Sequence, residues 1–155
     1  MMSAELLCVA VLNISMPNAE FACEQMEHVV NAAEDLSLEP EILIAMIHYE
    51  SRWTARARSS GGACGLTQVI PRWTSPRKSC QQLLFPPISI YEGAKMLRRW
   101  IDTLGRGSLT KGLCGYNAGY SCRSRTSRGW RYARKIQNMA RRIRTETLTI
   151  EEDGC

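Results

Sequence analysis

Apolar residues recur at helical spacing in five separated stretches, and glycine, proline and small polar residues mark the intervals between them. Cys23, Met26, Val29, Val30 and Ala33 predict a helix over roughly 23–36. Pro40 opens a second, since proline suits the first turn, where its missing N–H is not needed. This helix, about 40–51, carries Ile42, Leu43, Met46, Ile47 and Tyr49 around most of its surface, which predicts a central buried helix. Residues 52–87 lose the pattern. Gly61, Gly62, Gly65, Pro71, Pro76, Pro86 and Pro87 punctuate them, so loops and single turns are expected there. A third helix is predicted over about 89–104 from Ile90, Ala94, Leu97 and Ile101, stopped by Gly105 and Gly107. A short helix over 109–117 and a basic one over about 129–144 follow. The domain division read from this pattern is an N-terminal appendage or signal-like segment at 1–22, a helical domain at 23–144 and a mobile acidic tail at 145–155.

Composition changes this picture little. The chain has 155 residues, 45% hydrophobic and 23% charged, which suits one globular domain with one core. The net charge of +5 is unevenly placed, with no Asp or Glu from Thr103 to Thr145. That stretch holds eleven cations, Arg123, Arg125, Arg141, Arg142 and Arg144 among them. It reads either as a solvated helix face or as a surface attracting nucleic acid, anionic membrane or anionic wall polymer. Leu6–Leu12 is an apolar run like the core of a secretion signal, but Glu5 and the lack of any Lys or Arg before it depart from that pattern. The run is too short to span a bilayer.

Seven cysteines contain no Cys-x-x-Cys pair, which argues against zinc-ribbon and thioredoxin-like readings. The spacings Cys64/Cys80 and Cys114/Cys122 would each close a small disulfide loop in an oxidising compartment, and the alternative is buried free thiols. Cys8, Cys23 and Cys155 are not assigned, and an odd count leaves one thiol outside any internal pair. His28 and His48 have no partners at ligand spacing, so neither a metal nor another cofactor is expected. Trp53, Trp73, Trp100 and Trp130 read as core residues, with Trp73 the one placed to stack on a sugar instead.

The chemistry centres on Glu50. It ends the apolar second helix, with Met46 and Ile47 one turn before it. Desolvation by such neighbours raises a carboxyl pKa, because the charged form loses water. A carboxyl still protonated near neutral pH is what general acid cleavage of a glycosidic bond requires. Taken alone, a glutamate at a helix C-terminus reads as readily as a solvent-facing residue.

The segments downstream decide the reading. Glu50-Ser51-Arg52-Trp53 is followed by Gly62-Ala63-Cys64-Gly65-Leu66-Thr67-Gln68-Val69-Ile70-Pro71 and then by Gly115-Tyr116-Asn117-Ala118-Gly119. In this order and spacing, over roughly residues 23–140, these motifs resemble the soluble lytic transglycosylases, relatives of goose-type lysozyme. The resemblance implies a mainly α (α+β lysozyme-like) fold, a single helical domain with a loop-rich cleft and little or no sheet. It implies Glu50 as the single acid/base, and Ser59 and Gln68 as contacts to the acetamido sugar. Gly65 and Leu66 would shape the cleft wall, and Tyr116 would hydrogen-bond the catalytic carboxyl with Asn117 supporting its loop. Tyr132, in Tyr132-Ala133-Arg134-Lys135-Ile136, matches an aromatic position that closes the cleft. Three positions depart from the family pattern: Thr54-Ala55 replaces Asn-Pro, Thr67 replaces a methionine, and Ser89 stands where an asparagine is expected.

The implied reaction is non-hydrolytic cleavage between N-acetylmuramic acid and N-acetylglucosamine in peptidoglycan, leaving a 1,6-anhydromuramyl end. A hydrolase normally uses two carboxylates, whereas Asp35, Asp102 and Asp153 lie outside the cleft-forming segments and Glu92 is not clearly aimed inward. The alternatives are a lysozyme-type hydrolase of the same bond and a non-catalytic wall-gripping component of a virion or secretion machine. The expected partners are peptidoglycan strands and, in some settings, virion or secretion-apparatus proteins; nucleic acid is not required. The expected place of action is the periplasm, for a phage enzyme of lysis or DNA entry or a small bacterial enzyme that opens the wall.

Overall fold

A computed structural model describes residues 2–122 and 128–154. Arg123 and Arg125 of the basic stretch, and Cys155, lie outside the described residues. Eight α-helices are present among those described: α1 (Ala4–Asn13), α2 (Ala19–Glu24), α3 (Met26–Asp35), α4 (Pro40–Ser51), α5 (Cys80–Leu83), α6 (Pro86–Asp102), α7 (Leu109–Ala118) and α8 (Arg128–Asp153). The described residues form no strand, only isolated bridges pairing Arg58 with Cys64 and Cys64 with Val69. This is the mainly α, lysozyme-like architecture expected, with the cleft built from loops.

Helix α4 is the axis of the molecule. Every residue from Pro40 to Ile47 is buried, and the helix packs against α3 on one side and α8 on the other. Its N-terminal carboxylate Glu41 is buried too, but Arg144 Nε on α8 reaches it at 3.1 Å. Arg144 also holds Glu39 at 2.5 Å, so one guanidinium clamps α8 to the start of α4. A buried acid without such a partner would be strongly destabilising.

Two ends of the chain differ from the sequence reading. The segment expected to be an appendage forms α1 and α2, and Leu7, Ala10 and Val11 are fully buried in the same core as α4. The apolar run that resembled a signal is here one face of a packed helix. The acidic tail expected to be mobile continues α8 to Asp153. Ile136, Ala140, Ile143 and Thr147 keep one buried stripe running past the predicted end, and Glu146 accepts a hydrogen bond from the Asn13 side chain at 2.8 Å. The single helix read over 23–36 is broken at Gln25 into α2 and α3. Helix α6 begins three residues earlier than expected, because Pro86 and Pro87 open its first turn instead of ending the preceding loop.

Three disulfides are formed among the described residues: Cys64–Cys80 and Cys114–Cys122, the two spacings singled out above, and Cys8–Cys23, which ties α1 to α2. Among the described residues no helix is long and apolar enough to cross a membrane.

The Cys8–Cys23 link closes a loop of 15 residues, for which chain entropy gives about 3 kcal/mol of stabilisation. Replacing both cysteines by serine is expected to lower the unfolding free energy by about that amount in urea titration, while leaving the geometry around Glu50 unchanged.

Candidate active site

Glu50 stands one residue from the end of α4, where the backbone turns sharply. Arg52 and Trp53 both adopt left-handed conformations, with φ of 50° and 60°. Bulky residues rarely do so, and such strain persists only where surrounding packing enforces it. Here the enforcement is visible. Trp53 is 2% exposed in the core, and the Asn18 side chain donates to the Arg52 carbonyl at 2.7 Å. The turn ends the helix at once and leaves the Glu50 side chain at the boundary between core and cleft.

The carboxyl is mostly enclosed. Burial pushes its pKa from 4.5 up to about 7, and the Tyr132 hydroxyl, donating to Glu50 Oε1 at 2.6 Å, pulls part of the way back. Burial and the nearby Glu50 charge hold the Tyr132 and Tyr116 phenols well above their ordinary values, so both remain donors. Tyr132 comes from the first turns of α8, so the contact exists only once α8 lies across the end of α4.

Tyr116 differs from the expectation. Its hydroxyl donates to the Thr67 carbonyl at 2.6 Å, not to Glu50, although it lies close enough to sense that charge. The hydrogen bond assigned to Tyr116 by resemblance is made by Tyr132. Asn117, expected to support this loop, has a buried Oδ1 with no hydrogen-bond partner among the described residues.

Thr67 links three elements. Its hydroxyl donates to the Ser89 carbonyl at 2.7 Å, its N–H donates to Ser89 Oγ at 3.2 Å, and its carbonyl receives Tyr116. Two of the departures from the family pattern, Thr67 and Ser89, are therefore partners, both fully buried. The sequence reading treated them separately because 22 positions divide them.

The rest of the loop is fixed by backbone. Gly65, at φ 79°, sits against the chain of α5: a Cβ there would lie 1.9 Å from the Leu83 carbonyl oxygen. Leu66 is fully buried behind it. Gln68 is left-handed at φ 53°, and its Nε2 donates to the Gly65 and Ala57 carbonyls at 3.0 and 3.2 Å. Ser59 is exposed, its Oγ receiving the Ala63 N–H at 3.0 Å. Cys64–Cys80 anchors this loop to α5.

Gln68 and Tyr116 also line a cavity of about 380 Å³ between the loop, α6 and α7, and no Asp or Glu is among its lining residues. Glu92 belongs to a neighbouring cavity, where Lys95 and Lys78 engage it at 3.2 and 4.0 Å. Asp102 is bound by Arg98 at 2.6 Å. Among the described residues no group of three or more His, Cys, Asp and Glu side chains is placed to hold a metal ion. His48 is partly buried, and burial, with Arg52 and Arg142 nearby, depresses its pKa.

The family model described as the transglycosylase SLT domain matches residues 27–139. Among solved structures, the chain is similar to the lytic transglycosylase Slt of Pseudomonas aeruginosa, an X-ray structure of an inactive mutant. The two share 20% identity at a TM-score of 0.60, over 88% of this chain and 27% of that one. At that identity the likeness is one of fold, and this chain spans about a quarter of the other's length.

The raised carboxyl pKa makes folding pH-dependent. Between pH 4.5 and about 7 the folded state keeps a proton on Glu50 that the unfolded chain releases. Wild-type stability therefore falls as pH rises through that window. The variant Glu50→Gln is expected to match the wild type at pH 4 and to exceed it by about 1–3 kcal/mol at pH 8, measured by denaturant unfolding at both values.

Proposed function

The chain belongs to the transglycosylase SLT domain family, and from that premise we propose that it is a peptidoglycan lytic transglycosylase with Glu50 as its acid and base. The observation that carries this reading is the enclosed Glu50 carboxyl, held near pKa 7 and oriented by Tyr132 at 2.6 Å.

Protonated Glu50 gives its proton to the oxygen bridging N-acetylmuramic acid and N-acetylglucosamine, and the bond from that oxygen to the muramyl C1 breaks. The muramyl acetamido oxygen bonds to C1 and carries the positive charge as an oxazolinium-like species. Glu50, now a carboxylate with Tyr132 donating to it, takes the proton from the muramyl C6 hydroxyl. That oxygen bonds to C1, the acetamido oxygen leaves, and a 1,6-anhydro ring remains. No water enters, so one group serves both proton transfers in turn. Two-carboxylate hydrolysis would require a partner to activate water or attack C1, whereas the carboxylates of α6, Glu92 and Asp102, are engaged by Lys95 and Arg98. Gln68 and Ser59, on the loop that bounds the cleft, contact the acetamido group in this reading. Gly65 and Leu66 give that loop its shape, and Asn117 supports the Tyr116 segment.

Three disulfides favour a place of action outside the reducing cytosol. The cell wall seen from the periplasm meets that condition, for a phage-encoded lysis or entry enzyme and for a bacterial enzyme opening the wall for a secretion apparatus.

Digestion of purified sacculi followed by mass spectrometry is expected to give anhydromuramyl ends. Reducing ends would assign the chain to the hydrolases instead. Glu50→Gln is expected to lower the rate by at least 10²–10⁴-fold, roughly the contribution of a placed acid/base; unchanged clearing by this variant would remove Glu50 from the chemistry. Because the first step needs the protonated form, kcat should fall as pH rises through about 7. Tyr132→Phe removes a donor to the carboxylate, so its alkaline limb should move up by about one pH unit.

A further inference from the structure

Helix α8 carries its charge on one side. Its buried stripe, Gly129, Ala133, Ile136, Ala140, Ile143 and Thr147, packs on α7, α4 and α1. Arg128, Arg131, Arg134, Lys135, Arg141 and Arg142 fall on the opposite face at helical spacing, and all six are exposed. Every exposed residue from Arg128 to Arg142 is one of these or Asn138. The row is about 21 Å long at the helical rise.

The fold leaves this row unbalanced. Arg144, nearer the buried side of the same helix, is held by Glu39 and Glu41. Arg128, Arg134, Lys135 and Arg142 take part in no ion pair among the described residues. Like charges three and four positions apart repel, as Arg128 does Arg131, and Arg131 does Arg134 and Lys135. Arg128 and Arg131 also stand in the first turn of α8, which holds no acid, and the helix dipole disfavours cations there. The row therefore destabilises the helix that bears it, and an anionic partner would reverse both effects. The cationic surface continues onto the end of α4. Burial, then Arg52, then Arg142 depress the His48 pKa, so both guanidinium groups lie near that ring. Tyr49, 40% exposed, meets His48 edge-on with centroids 4.9 Å apart, which brings an amphipathic ring to the border of the surface.

We propose that this face of α8 is a docking surface for an anionic phospholipid bilayer, held along the membrane by contacts from its arginines to lipid phosphates. The proposal stands whether or not Glu50 performs the chemistry given above. Five of the six cations are arginines, whose paired N–H donors match phosphate oxygens. A straight, exposed row can meet a flat surface along its whole length. Among the described residues no helix is long and apolar enough to cross a membrane, so the attachment is peripheral. Three disulfides favour a compartment outside the reducing cytosol, where bilayer headgroups present a continuous sheet of phosphate and nucleic acid does not prevail. The row itself has no aromatic side chain on which bases could stack. Each cation close to an anionic lipid surface is worth about fivefold in partitioning.

Co-sedimentation of the full chain with vesicles tests this. One vesicle is phosphatidylcholine alone, the other equal parts phosphatidylcholine and phosphatidylglycerol. The chain is expected to bind the anionic vesicles and not the neutral ones, and to release them as salt rises from about 0.05 to 0.5 M. The triple variant Arg134→Gln, Lys135→Gln and Arg142→Gln is expected to bind the anionic vesicles about 100-fold more weakly. A control with the same loss of charge on the exposed residues Arg56, Arg72 and Arg77, each changed to Gln, is expected to lose less than about fivefold. Equal binding to both vesicles, or equal losses in the two variants, overturns the docking surface. The face variant is expected to melt no lower than the control, since it removes repulsion. Melting well below it would make these cations part of the fold and overturn the reading as well. Duplex DNA at equal phosphate and salt is expected to bind more weakly than the anionic vesicles, and tighter binding reassigns the face to nucleic acid. Purified sacculi are expected to bind both variants alike. A loss by the face variant on sacculi without one on vesicles reassigns the face to the wall, and either reassignment overturns the membrane.

Discussion

The contact between the Glu50 carboxyl and the Tyr132 hydroxyl, made where α8 crosses the end of α4, is the constraint around which the molecule is organised. A carboxyl in this position is caught between two opposed effects. Burial at the end of an apolar helix favours its neutral form, and a phenol 2.6 Å away favours its charged form. The balance leaves it near pKa 7, where both forms are accessible at neutral pH. A group that must give up a proton and then recover one needs that balance. Neither effect alone would supply it.

Holding the balance requires α4 and α8 to keep their crossing, and several unrelated features serve that need. Arg144 ties α8 to the buried Glu41 and to Glu39 at the far end of α4. The left-handed pair Arg52 and Trp53 stops α4 immediately after Glu50, with the buried indole paying for the strain. Helix α1 packs against α3 and α8, with α8 extended far enough to meet it. The cleft wall is fixed by a second set of contacts. Thr67 and Ser89 exchange hydrogen bonds, Tyr116 closes onto the Thr67 carbonyl, and Cys64–Cys80 pins the loop to α5. The wall thus reaches α6 and α7 through one threonine, which explains how the loop keeps its course without strands.

Much of this was legible in the residues. Helix α4 was readable to its boundaries because Pro40 marks its start and apolar residues surround it. Glu50 stood out as the one carboxylate following such a run, and the glycine-rich segment announced a loop by composition. What misled was short-range reading at the ends. Leu6–Leu12 has the composition of a signal core and also of a buried helix face, and periodicity in so short a run does not separate them. The tail was read as mobile from its charge, although Thr147 and Ile150 continue the stripe begun at Ile136, a signal present in the sequence but outweighed by Glu151, Glu152 and Asp153.

The sequence by itself determined the helical periods, the turn-forming stretches, the place of a carboxyl at the end of an apolar helix, and the order of three motifs that matched a family. Those properties are local, carried by residues a few positions apart. Only the tertiary structure decided that Tyr132 and not Tyr116 meets Glu50, that Thr67 and Ser89 compensate one another, and that Trp73, Trp100, Tyr120 and Arg99 surround one cavity. Apart from the neighbours Arg99 and Trp100, each of those facts joins residues between 20 and 82 positions apart. Hydrogen-bond reach is about 3 Å, and which distant side chains come within it depends on how the helices cross.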